Sequence, residues 1–166
     1  MSKAFTRESD DDQDAPARPL GAELPPGVKN YMTPAGASRL RGEIERLSQL
    51  DRRALAGDAA AVREIDRRLA FLRRRLEALE IIDPASQPPG RVLFGATVTV
   101  RAESGELRRY RLVGIDEAEP GRGEVSWRSP IAAALLGAQV GELVTLRSPR
   151  GDEEIEVVEV RYATPA

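Results

Sequence analysis

The sequence predicts an α+β protein, an N-terminal antiparallel α-helical coiled-coil hairpin followed by an antiparallel-sheet domain with one short helix. Three observations predict it. Val62, Ile65, Leu69, Leu72, Leu76 and Leu79 recur at alternating spacings of three and four, the seam of a heptad helix. Leu40, Ile44, Leu47, Leu50 and Ala54 make a second stripe just upstream, parted from the first by Gly57-Asp58, so two helices fold back on each other. Beyond Gln87-Pro88-Pro89-Gly90 the apolar residues become β-branched and follow a strand-like period, which marks a second domain.

The first helix starts at Thr33-Pro34. The threonine hydroxyl accepts from free N–H groups, and proline at the first helical position loses no hydrogen bond. This helix is expected to run to about Ala56. Gly57 suits the left-handed residue that ends a helix, and Asp58 caps the next one, expected from Ala59 to Ile82, where Asp83-Pro84 stops it. Each arm is then about 23 residues, roughly 35 Å at 1.5 Å per residue.

In the second domain, Val92 to Val100 and Leu107 to Ile115 read as a strand pair around Ser104-Gly105. Val125 to Trp127 is a short strand. Ser129-Pro130 repeats the cap-and-proline signal before a helix over Ile131 to Leu136, closed by Gly137. Leu143 to Arg147 and Ile155 to Tyr162 complete the sheet. The organisation is thus a tail over residues 1–28, a hairpin over 29–84, a linker over 85–91 and a sheet domain over 92–166.

Composition narrows the chemistry. The chain has 166 residues, 41% of them hydrophobic, with no cysteine and no histidine, which excludes disulfides, thiol catalysis, histidine triads and ordinary zinc sites. The net charge of −2 is unevenly spread. Glu8, Asp10, Asp11, Asp12 and Asp14 gather in the tail, which reads as disordered, a solubilising segment or an acidic arm that screens arginines. Arg63, Arg67, Arg68, Arg73, Arg74 and Arg75 gather on the second helix, where a solvated face competes with a phosphate-binding one. No apolar run reaches the roughly 18 to 20 residues of a membrane span, so the expected location is cytoplasmic. Glu103, Asp116, Glu117 and Glu119 read as solvated loop acids, and Gly121-Arg122-Gly123 as a turn, because no long helix follows it as a dinucleotide site requires. Binding is the favoured class of function.

The ordered motifs resemble those of the bacterial Gre transcript-cleavage factors, the GreB branch more than GreA. They are Tyr31-Met32-Thr33-Pro34-Ala35-Gly36, Arg63-Glu64-Ile65-Asp66-Arg67-Arg68, Phe94-Gly95-Ala96-Thr97-Val98, Val113-Gly114-Ile115-Asp116-Glu117, Ser126-Trp127, Ser129-Pro130-Ile131-Ala132, Ala134-Leu135-Leu136 and Val140-Gly141-Glu142. The resemblance implies an FKBP-like fold for the sheet domain, which docks on RNA polymerase with Asp116, Glu117, Ser129 and Pro130 as the contact residues. The hairpin would enter the secondary channel with its six arginines toward the channel wall or toward the RNA and DNA of the elongation complex.

In the family an Asp-x-x-Glu pair at the hairpin tip helps hold a second Mg²⁺ of the polymerase, so that backtracked RNA is cut. The factor is then an accessory protein, a monomer without a cofactor of its own, and the Mg²⁺ belongs to the polymerase active site. Here the tip reads Ala54-Leu55-Ala56-Gly57-Asp58-Ala59-Ala60-Ala61. Asp58 is its single acid and reads as a helix cap rather than a metal ligand or catalytic group. Both arms also read as eight to ten residues shorter than the family's, which withdraws the tip by roughly 12 to 15 Å. The expected function is polymerase binding with weak or absent cleavage stimulation. Two other readings are an interaction protein of the nucleoside diphosphate kinase regulator type, and a prolyl isomerase, which the few aromatic residues disfavour.

Overall fold

The computed structural model describes residues 23–50, 53 and 55–163, and the elements follow from the predicted signals with three departures. The order is β1 (Asn30–Met32), α1 (Pro34–Ser48), α2 (Ala59–Glu77), β2 (Leu79–Ile81), β3 (Ala96–Ala102), β4 (Leu107–Val113), β5 (Glu124–Ser126), α3 (Pro130–Leu135), β6 (Leu143–Ser148) and β7 (Gly151–Tyr162). Short 3₁₀ turns cover Pro84–Ser86 and Pro120–Arg122.

All three predicted caps form. Thr33 Oγ1 accepts from the Gly36 N–H at 3.1 Å, Asp58 Oδ1 from the Ala61 N–H at 2.9 Å and Ser129 Oγ from the Ala132 N–H at 3.3 Å. Helices α1 and α2 pack through Leu40, Leu47, Leu69 and Leu72, with Ile44, Ile65 and Leu76 partly buried beside them. That is the predicted seam from Ile65 to Leu76, joined by Phe71, which lies off the heptad stripe; Val62 stays outside this core and Leu79 reaches it from β2.

The first departure is helix length. Helix α1 stops at Ser48, not near Ala56, and the chain then turns, with Asp58 N–H donating to Leu55 O at 2.8 Å. Tipward of Ile65, α2 offers only Val62, Ala61, Ala60 and Ala59 as apolar residues, so a longer α1 would have little to bury against. Leu50 is accordingly exposed. Ala54, the last position of the predicted stripe, lies outside the described residues.

The second departure is at the arm's base, where α2 ends at Glu77 rather than Ile82. Leu79–Ile81 instead pairs in parallel with Asn30–Met32 as a two-stranded sheet. Asn30 N–H donates to Ala78 O at 2.8 Å and Ile82 N–H to Met32 O at 2.9 Å, so the freed backbone groups find partners in the strand pair. Three-residue strands carry no periodic signal, which is why the sequence hid them. Of the predicted tail, residues 23–28 are described and form no helix or strand. The rest of that prediction, residues 1–22, lies outside the described residues.

Third, the five-stranded sheet, of order β5-β4-β3-β7-β6, is mixed rather than antiparallel throughout. β5 runs parallel to β4, reached through the 3₁₀ turn at Pro120–Arg122, while the other neighbours are antiparallel. The core lies on one sheet face, where Val98, Val100, Leu112, Ile155 and Val157 are buried under Ala132 and Leu135 of α3. Each large aliphatic side chain so buried stabilises the domain by about 1.5 to 3 kcal/mol before entropy is counted.

Tyr162 closes this domain. Its hydroxyl donates to Arg91 O at 2.5 Å and accepts from the Leu93 N–H at 3.0 Å. Burial pushes its ionisation above the ordinary 10.0, and the Leu93 hydrogen bond opposes this only in part. As pH rises through 10.0 the unfolded chain therefore loses its proton first and stability falls. Tyr162→Phe is expected to cost about 1 kcal/mol at neutral pH and to remove this part of the alkaline decline in urea titrations.

Candidate functional site

The functional residues expected from the sequence fall into three places: the tip of the arm, its arginine surface, and its joint with the sheet domain. At the tip, Asp58 is exposed and its carboxylate is engaged in capping α2. Among the described residues no group of three or more acidic side chains is placed to hold a metal ion.

On α2, Arg63, Arg67, Arg73 and Arg74 are exposed. Arg67 pairs with Glu64 one turn away. Arg68 is only half-exposed, paired with Glu43 of α1 at 3.0 Å and set 5.6 Å from the Phe71 ring. Arg75 is different, because its side chain is 3% exposed, which corrects its expected place on the channel-facing surface. The guanidinium lies 4.9 Å from the Phe71 ring centre and 3.4 Å from Asp116 Oδ1. An arginine on the buried side of a helix is tolerated when its charge is paired and its planar face stacks on an aromatic ring.

Asp116 reaches back across the joint, with Oδ2 accepting from Asn30 Nδ2 at 3.4 Å. Asn30 is fully buried and also donates to the Arg75 carbonyl at 3.2 Å. Glu117, the other expected contact acid, points inward with a side chain 4% exposed, so its carboxylate is held inside the joint rather than presented at the surface. The carboxylate accepts from Thr33 Oγ1 at 2.5 Å, the Thr33 N–H at 3.0 Å and the Gly114 N–H at 2.9 Å. The oxygen that caps α1 thus also donates to the sheet domain. Gly36 makes room for this: a Cβ there would stand 2.1 Å from Glu117 Oε1. At Gly114 a Cβ would stand 2.5 Å from the Tyr31 carbonyl, so the two parts meet at backbone contact distance. The Tyr31 ring meets Trp127 edge-on at 5.2 Å.

Beside this joint lies a cleft of about 540 Å³ that contains Arg39, Arg111 and Arg122. Each faces an acid, Glu117 at 3.7 Å, Glu124 at 3.4 Å and Glu119 at 3.6 Å. Their charges are balanced in pairs, which leaves the cleft no surplus for an ionic ligand. Ser129 caps α3, and Pro130, its first residue, is exposed. Thr33, Gly36 and Asn30 are the joint residues that sequence reasoning missed. Their signal was present in Thr33-Pro34, whose capping role was legible while its second partner, 84 positions away, was not.

The fold and the joint define a class of protein, a two-helix arm pinned at its base to an α+β sheet domain. Residues 87–162 match the family described as "Transcription elongation factor, GreA/GreB, C-term". Transcription elongation factor GreB of Neisseria meningitidis serogroup B is 37% identical over 155 residues, covering 81% of this chain and 95% of the relative. The GreB of Xanthomonas axonopodis pv. citri is 40% identical over 162 residues, covering 84% and 96%. The GreA of Alkalilimnicola ehrlichii is 37% identical over 153 residues, covering 80% and 97%. Among solved structures, the transcription elongation factor GreA/GreB from Nitrosomonas europaea shares 29% identity over 81% of this chain and 100% of its own, with a TM-score of 0.42. This chain belongs to the GreA/GreB family of transcription elongation factors.

The coverages carry a further fact. The Neisseria alignment runs over 155 residues, whereas 81% of 166 residues is about 134, so about 20 aligned positions have no residue in this chain.

Proposed function

We propose that this protein binds RNA polymerase at the secondary channel and modulates stalled or backtracked elongation complexes, with little or no stimulation of transcript cleavage. The observation that carries the reading is the tip. Helices of 15 and 19 residues extend only about 22 and 28 Å at 1.5 Å per residue, and the turn that joins them holds two aspartates and no glutamate: Asp58, whose carboxylate caps α2, and Asp51, which lies outside the described residues. A shortened arm would account for the deficit of about 20 aligned positions, and a two-metal mechanism has little use for carboxylates set back from the reacting phosphate. The polymerase's own Mg²⁺ would serve any cleavage, and the factor would act in the cytoplasm as a monomer without a cofactor.

In this reading the sheet domain is the FKBP-like docking module. Pro130 at the exposed start of α3 is its candidate contact, and Asp116 and Glu117 act indirectly by fixing the arm. Arg63, Arg67, Arg73 and Arg74 face the channel wall or the nucleic acid. Core polymerase from the source bacterium, labelled and titrated with the full chain, tests this. Saturable binding that a full-length GreB displaces is expected, and Arg73→Ala with Arg74→Ala should weaken it and flatten its salt dependence. Absence of binding at tens of micromolar protein would refute the reading.

A further inference from the structure

We propose that in the free protein the acidic run at residues 8–14 docks along the exposed arginine stripe of α2, so that the chain carries its own competitor for the surface that meets polyanions. The described structure already brings the chain to that helix. Leu24, Pro25 and Val28 face Phe71, Arg74 and Ala78 across a gap of about 230 Å³. The segment preceding β1 therefore lies on α2 rather than departing from it.

The same side of α2 continues toward the tip. Arg63, Arg67, Ala70 and Arg74 follow spacings of four, three and four, which align them on one helix face. Ala60, Arg63, Asp66, Arg67 and Ala70 line a second, open groove of about 520 Å³, with two arginines to one acid. Small alanines between the arginines leave the backbone of an extended segment room to approach.

Charge makes the acidic run the fitting occupant. Residues 8–14 read Glu-Ser-Asp-Asp-Asp-Gln-Asp, five acids and no base. Among the described residues Arg63, Arg73 and Arg74 have no acidic partner, and Arg67 has only Glu64, one turn away on the same helix. Reach is sufficient. Eight residues separate position 14 from Glu23, enough for roughly 25 Å when extended, whereas Arg63 and Arg74 lie about 16 Å apart along the helix axis. A tethered partner also acts at an effective concentration near millimolar, which makes individually weak exposed ion pairs count together. The contact belongs to the free chain and stands or falls apart from the identity of the macromolecular partner.

Two measurements on the full chain test it. The sequence has no cysteine, so Ser9→Cys gives one site for a nitroxide and removes no acid. Expected is paramagnetic broadening of amide signals across residues 63–74 at low salt, with recovery at about 0.5 M salt, where screening acts within a few ångströms. No broadening, broadening spread evenly over the sheet domain, or broadening that salt leaves unchanged would overturn the proposal. The second measurement uses a 20-nucleotide single-stranded DNA as the polyanion. Asp10→Asn, Asp11→Asn and Asp12→Asn together should bind it about five- to tenfold more tightly, as expected when a mostly occupied surface is released. Glu103→Gln, Asp152→Asn and Glu154→Gln, the same charge change on the sheet domain, should gain less than twofold to threefold. Equal gains in the two variants would mean net charge alone is at work and would also overturn it.

Discussion

Glu117→Ala is expected to destabilise the protein by about 3 kcal/mol and to lower its thermal midpoint by roughly 6 to 12 °C. The reason lies in what the carboxylate leaves behind. The Thr33 and Gly114 N–H groups both donate to it, and both lose their acceptor once the side chain is gone. Each orphaned buried donor costs about 1 to 3 kcal/mol. Glu117→Gln keeps the shape and one acceptor and should cost about half as much. Gly36→Ala should approach the full loss from the opposite side, because its Cβ would occupy the carboxylate's place. The double variant should then fall short of the sum by 1 kcal/mol or more, the mark of two residues serving one contact. Gly42→Ala on the same helix has nothing within 4 Å of the added methyl, and should instead stabilise by up to about 1 kcal/mol. Differential scanning calorimetry of the five variants reads all of these.

Arg75→Ala has the second largest expected effect, again about 3 kcal/mol. It removes a buried side chain from the face of Phe71, opens a cavity beside it and strips Asp116 of its cation, and each of these destabilises. Arg75→Met separates the contributions, because a thioether side chain retains most of the packing on Phe71 without the charge. It should cost only about 1 kcal/mol. The deficit of the alanine variant should persist in high salt, since a buried pair is poorly screened. Urea titrations at low and high ionic strength make this comparison directly.

These two residues also show where sequence reading stops. Leu40, Ile44, Leu47, Ile65, Leu69, Leu72 and Leu76 announced their burial through spacing alone, and Thr33, Asp58 and Ser129 announced their caps through the residues that follow them. Such signals are local, and the packing of α1 on α2 and the strand-to-helix order of the sheet domain were legible from them. Arg75 and Glu117 carry charges that speak for solvent. Their burial depends on Asp116 and Thr33, 41 and 84 positions away, and no periodicity encodes those meetings. Phe71 was missed for a related reason, because it packs beside the seam and under Arg75 instead of within the heptad stripe. The parallel pairing of β1 with β2, and of β5 with β4, likewise depends on segments too short to declare themselves. The joint of the arm was therefore the least legible part of the candidate site, whereas at the tip the Asp58 cap was legible and the end of α1 was not.

A short arm whose tip acid Asp58 is spent on capping α2 is expected to engage the polymerase without delivering metal to its active centre. The most direct test is RNA cleavage in a defined backtracked elongation complex, with the same sample scored for bound factor. The account predicts a saturable complex and a cleavage rate within about twofold of the polymerase alone, unchanged by Asp58→Asn. Cleavage accelerated tenfold or more at saturation, and lost with Asp58→Asn, would contradict it.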